Sequence, residues 1–560
     1  MPYAIGIDYG TQSARAELVD LVDGTIVASA EGGYPHGVME TRLPSGAQLG
    51  PGWALQDGRD YWDLLVRLVR RLVAGVDPDA VVGIGLDSTS CSVLPLDAEM
   101  EPLSSHPEFE DVPLAHLALW KHHAAQPYAD RLTRIAAERG EPFLARYGGR
   151  ISSEWLIPKI MQVAAEAPDV YRAAHRFSEV ADWLCFKLTG THVKSNVMAG
   201  YKSLWEEGTG YPGTDFFAAL DPLLENVVAE KLPAPVRTVG GRVGHLSPAV
   251  AAELGLTTRT AVAVAQSDAC VVPAALGMDQ VGQLVMSIGT STCHLLLGDV
   301  QREVPGMCGA VKDGTSPGFV SYELGQAAVG DIFDWFVRTC VPDAVVEQAR
   351  AAGIGTHELL ERQAAALAVG ASGLVALDWW NGNRSILVDA DLTGVVVGLT
   401  LASTPAEIYR ALIEATAFGT RTIVETLRES GVPVTELYAA GGIPSKNALL
   451  VQVYADVCGM DVLVPALAQS AAYGSALFGA VAAGREAGGF DTVAEATDAL
   501  GCREFTRYRP REDAVAAYHP LYEIYRELHD LLGAANGPLK RLRAVADAAS
   551  RPSGTPAYPA

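Results

Sequence analysis

The chain has 560 residues, 49% of them hydrophobic, and a formal net charge of −24. That length exceeds what one hydrophobic core serves, so at least two domains are expected. The acidic balance argues against nucleic acid or an anionic membrane as partner, but not against a small anionic ligand held by local donors.

From the N-terminus, residues 3–30 read as a β-meander with turns at Gly10-Thr11 and Asp23-Gly24. Residues 58–76 carry apolar residues at helical spacing, and 81–97 read as strand, turn and strand. The stretch 107–240 is mostly helical in pattern, broken by Gly and Pro, and reads as an insertion on the substrate side. Residues 262–272 read as strand, turn and helix, and a second hairpin starts near Gly282. Helices are expected over 325–337 and 405–429, then a strand over 437–442 that ends in Gly-Gly. A helix follows over 447–458, and a small-residue helix over 471–484 is suited to close packing on a sheet. The last segment, 541–560, is rich in Pro, Ser and Ala and is expected to be a disordered tail. The eight cysteines are scattered without zinc-site spacing. No run of about 18 apolar residues marks a membrane helix. With no leader-like start, the chain reads as cytoplasmic, with reduced thiols.

Two segments share one design. AIGIDYGTQSARAELVD (4–20) and LVMSIGTSTCHLLLGD (284–299) each read as strand, Gly-Thr turn and strand. Such a tip offers unhindered backbone N–H groups and a hydroxyl to phosphate oxygens. One hairpin of this kind is weak evidence. Two, each opening one half of a long chain, point to a two-lobed nucleotide-binding protein that clamps phosphates between its lobes.

Further motifs carry a family resemblance. GIDYGTQSAR, SIGTST and LYAAGGIPSKNALLVQVYADVCG suit many members of the actin/hexokinase-like superfamily. LALWKHHAA, RYGGRISSEWLIPK, AGYKSLW and YELGQAAVGDIFDWF are more specific. Together they resemble the FGGY family of carbohydrate kinases over about residues 3–530, and within it the branch that acts on L-ribulose. The resemblance implies an α/β, two-lobed RNase H-like (actin/hexokinase-type ATPase) fold with an interdomain cleft. It implies an N-terminal, sugar-binding domain over 1–278 and a C-terminal, ATP-binding domain over 279–540. The implied activity is ATP- and Mg²⁺-dependent phosphorylation of L-ribulose to L-ribulose 5-phosphate in L-arabinose breakdown, by a homodimer. Another pentulose or polyol, such as D-ribulose or xylulose, remains open. So does an actin-like nucleotide-switch ATPase with no small substrate, although it would not need the motifs between residues 115 and 205.

The resemblance also assigns residues. Asp268, in AVAQSDACVVP, matches the family's catalytic base; a carboxylate at a strand end can be aimed into a cleft, and a helix N-cap is the other reading. Asp8 ends the first strand and matches a Mg²⁺ ligand, against a plain turn-forming Asp. Gly10, Thr11 and Gln12 would face the γ-phosphate, with Arg15 either reaching the phosphates or resting on the hairpin. Gly289, Thr290 and Ser291 would form the second clamp. Gly441 and Gly442 would admit the ribose or α-phosphate, and Asn447 matches an adenine contact. Lys202 and Glu323 match sugar contacts, with Ser90 a weaker candidate in the turn after Asp87. Trp120, Lys121, His123, Glu154 and Trp155 lie in the specific motifs, and core packing serves Trp155 equally well. Two positions depart from the family pattern: Cys270 stands where a His is frequent, and His122 where an Asp is frequent.

Overall fold

A computed structural model describes residues 1–550 of the chain. Among the described residues, two seven-stranded sheets dominate, and they repeat one path. In the first, β1 (Tyr3–Tyr9), β2 (Ser13–Asp20) and β3 (Ile26–Gly33) form an antiparallel meander. On the other side of β1 lie the parallel strands Val81–Ser88 and Ala261–Ala263, then the antiparallel edge strand Arg242–His245. In the second, Gln283–Ile288, Thr292–Gly298 and Val320–Gln326 form the meander. Glu436–Ala440 and Val462–Pro465 continue it in parallel, with Phe505–Tyr508 as the antiparallel edge. The duplicated hairpin is thus the visible start of a duplicated sheet.

Each sheet is covered by helices whose apolar stripes face it. Helix Gly58–Leu72 buries Leu64, Leu65, Leu68 and Val69 against the first sheet. Helix Pro405–Glu429 buries Leu412, Ile413, Phe418 and Leu427 in the core of the second, and a Thr404–Glu407 capping box satisfies its first turn.

A third helix, Ser470–Ala483, explains a glycine pattern in the strands. β1 carries Gly6, and strand Val81–Ser88 carries Gly83 and Gly85. A Cβ on Gly6 would overlap the Ala472 carbonyl, one on Gly83 the Gly479 carbonyl, and one on Gly85 the Ser475 carbonyl. The helix answers with Ala, Ser and Gly, so its backbone rests on the sheet. Although late in the chain, it packs on the first sheet.

Several expected elements shift. The strand after the 89–92 turn, Val93–Leu96, leaves the first sheet and pairs with Arg176–Glu179 and Leu117–Ala118 in a separate four-stranded sheet. The helix expected from residue 325 starts at Gly330, because Val320–Gln326 pairs residue by residue with Thr292–Gly298. Asn447 lies outside helix Ala448–Cys458 as its N-cap. Residues Pro538–Ser550 form a helix, so the segment expected to be disordered from 541 begins as ordered structure. Residues 551–560 of that expected tail lie outside the described residues. All eight cysteines are free thiols, and no described helix is long and apolar enough to cross a membrane.

The glycine face makes a direct prediction. Gly85→Ala places a methyl group against the Ser475 carbonyl, an overpacking that should destabilise the protein by about 1–3 kcal/mol. Chemical denaturation measures this directly, and an unchanged midpoint would contradict the close approach.

Candidate active site in the cleft between the two sheets

A cleft of about 590 Å³ opens between the sheets. Both hairpin tips, the 440–442 turn, Asp268, Ser90, Lys202 and Glu323 line it.

Strand register brings three carboxylates together. β1 pairs in parallel with Val81–Ser88 so that Asp8 lies beside Asp87, while Arg15 lies opposite Asp8 across the first hairpin. Gln266 and Ser267 pair with Asp87 and Ser88, and Asp268 follows one residue later. Arg15 Nη1 is 3.5 Å from Asp8 Oδ2, and its Nε is 3.4 Å from Glu31. Asp87 is fully buried; the Ser475 hydroxyl donates to its Oδ2 at 2.5 Å, and among the described residues no donor reaches its Oδ1. Burial and the adjacent Asp8 charge hold the Asp87 carboxyl well above the usual range. Burial also raises Asp8, against hydrogen bonding from Asp87 and the charge of Arg15. Burial and the Asp8 charge push Asp268 to about 6, although the Ala269 N–H donates to its Oδ1 at 2.8 Å.

The two tips differ in support. The Gly10 N–H donates to the Ser13 carbonyl at 3.1 Å, and the Gly289 N–H to the Ser291 carbonyl at 2.9 Å. The second tip is also braced from behind, where the Val329 and Gly330 N–H groups donate to the Thr290 and Gly289 carbonyls. Gly441 closes the same wall at φ +109°, where a Cβ would overlap the Ile288 carbonyl. Glycine is required there.

The opposite wall is a connected polar line. Lys202 ends the short helix Asn196–Lys202, and its Nζ lies 2.8 Å from Glu323 Oε1 and 3.1 Å from Ser90 Oγ. Ser90 Oγ is 3.1 Å from Ser267 Oγ, which donates to Asp268 Oδ1 at 3.3 Å. Burial alone would lower the Lys202 pKa, but Glu323 holds it well above the ordinary value, so the ammonium persists. Glu323 comes from the second sheet, so this line crosses the cleft.

The structure brings Asp8, Gly10, Thr11, Gln12, Arg15, Ser90, Lys202, Asp268, Gly289, Thr290, Ser291, Glu323, Gly441 and Gly442 into one cavity wall. Asn447, expected as an adenine contact, is not among the residues that line the cavity. Its Oδ1 accepts the Leu450 N–H at 2.8 Å, and the neighbouring Lys446 lines the cleft instead. His122 is a neutral core histidine: burial lowers its pKa to about 3, and it bonds Gln162 and the Ala54 N–H. Trp155 is buried, with its ring centroid 4.6 Å from that of Tyr147. Lys121 pairs with Glu40 at 2.7 Å, and Cys270 is buried. Sequence reading misses Arg384, which comes from the loop between strands Val375–Leu377 and Val395–Val397 and lines the cleft. Its only signal is an Asn-Gly-Asn turn after a Trp-Trp pair, which marks a loop and no chemistry.

Comparison with known proteins agrees with this geometry. The N-terminal domain model of the FGGY family of carbohydrate kinases matches residues 3–277, and the C-terminal domain model matches 284–483. A ribulokinase of Bacillus licheniformis is 50% identical over 546 residues, covering 97% of this chain and 99% of the relative. A ribulokinase of Geobacillus thermodenitrificans is 50% identical over 545 residues, covering 97% and 96%. Among solved structures, a ligand-bound xylulose kinase from Lactobacillus acidophilus superposes with a TM-score of 0.78 at 20% identity, covering 96% of this chain and 99% of that one. At that identity the last likeness speaks to the fold alone. Two strand-paired hairpins facing one cleft, matches to both domain models that together span most of the chain, and half-identical relatives establish that the chain belongs to the FGGY family of carbohydrate kinases.

Proposed function

We propose that this chain transfers the γ-phosphoryl group of ATP to the terminal 5-hydroxyl of L-ribulose, as a step of L-arabinose breakdown. The observation that carries the reading is the placement of Asp268 between the Lys202–Glu323–Ser90 wall and two phosphate-type hairpins. The name of the half-identical relatives supports ribulose as the acceptor.

Phosphoryl transfer needs positioning, charge neutralisation and a place for the acceptor's proton. Lys202 donates to sugar hydroxyls while Glu323 and Ser90 accept from them, so the acceptor is oriented by charged groups held in place before it arrives. Asp268 takes the proton of the attacking hydroxyl; near pKa 6 it is ionised at neutral pH yet basic enough to accept it. One O–P bond forms to the sugar as the bond to the β-phosphate oxygen breaks, and ADP leaves with that electron pair. Backbone N–H groups of both tips face the phosphates.

Mg²⁺ belongs to the same reading. The fit rests on the adjacent carboxyls of Asp8 and Asp87, whose mutual repulsion a cation would relieve, and on Asp87 Oδ1, which no described donor reaches. Asp8 would hold the ion, directly or through water, with Asp87 behind it, which suits a cation that takes one or two carboxylates plus phosphate oxygens. Bound there, Mg²⁺ would neutralise charge on the transferring phosphoryl group. A homodimer rests on the family resemblance alone, and a cytoplasmic setting on the free thiols.

ADP release with ATP·Mg²⁺ against L-ribulose, D-ribulose, D-xylulose, ribitol, glycerol and no sugar tests the assignment. The best kcat/KM is expected for L-ribulose, with little ADP in the blank. Preference for another sugar would move the substrate, and sugar-independent turnover would reject the kinase reading.

Asp268→Asn should lower kcat by about 10²-fold or more while nucleotide affinity stays within about twofold, as titration calorimetry would show. Turnover near wild type would remove Asp268 from the base role. The kcat/KM profile should fall with decreasing pH around an apparent pKa near 6, because protonation of Asp268 removes the base. That value belongs to the coupled carboxylates as a set. Asp268→Asn should flatten this limb. Lys202→Met should raise the sugar KM by about 10-fold or more, from loss of a charged hydrogen bond worth about 1.5–3 kcal/mol, and leave nucleotide affinity unchanged.

A further inference from the structure

Arg384 reaches the site from an unexpected direction. Its loop is closed on itself by paired Asn383 and Asp389 backbone bonds of 2.8 Å. Lys540, from the helix Pro538–Ser550, holds Asp389 at 2.5 Å. Arg384 Nη2 then lies 3.3 Å from Glu154 Oε1, and its guanidinium carbon is 5.0 Å from the centroid of the Trp120 ring. Glu154 and Trp120 belong to the first half of the chain and Arg384 to the second, so these contacts cross the cleft. The Trp120 indole N–H donates to Thr11 Oγ1 at 3.0 Å, at the tip of the first hairpin.

The second sheet is shaped around this residue. A Cβ on Gly325, two residues after Glu323, would come within 3.0 Å of Arg384 Cδ and 2.8 Å of the Thr292 carbonyl. The Gly325 N–H donates to Ser385 Oγ at 3.2 Å, pinning the loop to the strand. Among the described residues, Arg384 Nε is buried with no hydrogen-bond partner. A guanidinium carries five donors in a planar fork, and the bond to Glu154 uses one of them at the edge of the cleft.

We propose that Arg384 is a positioning residue that couples the sugar side of the cleft to the phosphate hairpin. Held between Glu154 and the Trp120 face, it keeps the indole N–H on Thr11, so the first tip is ordered when the two walls are together. An acceptor sugar that draws the walls together then also prepares the nucleotide side. By linkage, sugar tightens nucleotide and nucleotide tightens sugar by the same factor. Any charge-preserving replacement without the planar face loses the stack on Trp120.

The inference rests on the kinase reading of this cleft, and the test separates the two. A non-hydrolysable ATP analogue with Mg²⁺ is titrated into the full-length protein with and without L-ribulose, for wild type, Arg384→Ala, Arg384→Lys and Trp120→Phe. In the wild type the sugar is expected to tighten the analogue by about fivefold or more, in the usual range of such couplings. In Arg384→Ala the sugar effect should fall to within about twofold of none, while analogue affinity without sugar stays within about twofold of wild type. Trp120→Phe keeps a ring under the guanidinium but removes the N–H to Thr11, and should lose the coupling in the same way. It carries the test if Arg384→Ala does not fold. Arg384→Lys should recover less than half of the coupling free energy. Coupling retained in either the Ala or the Phe variant, or full recovery with Lys, overturns the inference and leaves the kinase reading intact. A wild type that phosphorylates sugar without any coupling does the same. A wild type that neither binds nor phosphorylates any sugar overturns the kinase reading itself.

Discussion

Helix Ser470–Ala483 rests on the first sheet at backbone distance, and the site depends on that contact. Gly6, Gly83 and Gly85 remove the side chains that would hold the helix off, and Ala472, Ser475 and Gly479 meet them from above. The approach puts Ser475 on Asp87, and the parallel register puts Asp87 beside Asp8. Asp268 then follows from the short strand paired to the other edge of Val81–Ser88. A side chain at any of the three glycines would lift the helix and with it the support behind the carboxylates. Packing and electrostatics are therefore one problem here, because the interior is close-packed and transmits displacement.

The charges in the cleft are arranged for ligands more than for stability. A buried Lys–Glu pair such as Lys202–Glu323 gains little over a well-packed apolar pair, since desolvation offsets the Coulomb attraction. Breaking such a pair, however, costs about 3–5 kcal/mol. An arrangement that adds little when intact and is costly when half removed persists where it serves binding. The continuous line from Glu323 through Lys202, Ser90 and Ser267 to Asp268 has that character. It fixes donors and acceptors before any substrate arrives, which lowers the reorganisation needed at reaction.

Local sequence made much of this legible, and the limits have physical causes. The hairpin tips at Gly10-Thr11 and Gly289-Thr290 are visible because turn chemistry is local and the motif occurs twice. Asp268, Lys202 and Glu323 were reachable because motif context names them, and the structure gathers them in one cavity. Asn447 shows the limit, because an Asn before a helix serves as a cap, a contact or both, and only the coordinates show its oxygen accepting the Leu450 N–H. Strand Val320–Gln326 reads partly as helix because its Leu-Gly-Gln-Ala end lacks β-branched residues, and pairing with Thr292–Gly298 overrides that local preference. Strand Val93–Leu96 looked like the return of a hairpin, yet its partner lies over 80 residues away at Arg176–Glu179.

The α/β class, the two phosphate-type turns and the long helix at 405–429 are written in the local sequence, and the family resemblance adds the residues that carry charge into the cleft. The turns and the helix follow from turn residues and periodicity, which act within a few residues. Tertiary structure decided which strands share a sheet, the register that sets Asp8 beside Asp87, and the seating of Ser470–Ala483 on the first sheet. It also decided the arrival of Arg384 between Glu154 and Trp120. These are contacts between segments separated by tens to hundreds of residues. No local propensity encodes them, because the energy that selects them comes from burial and close packing that exist only once the whole chain has come together.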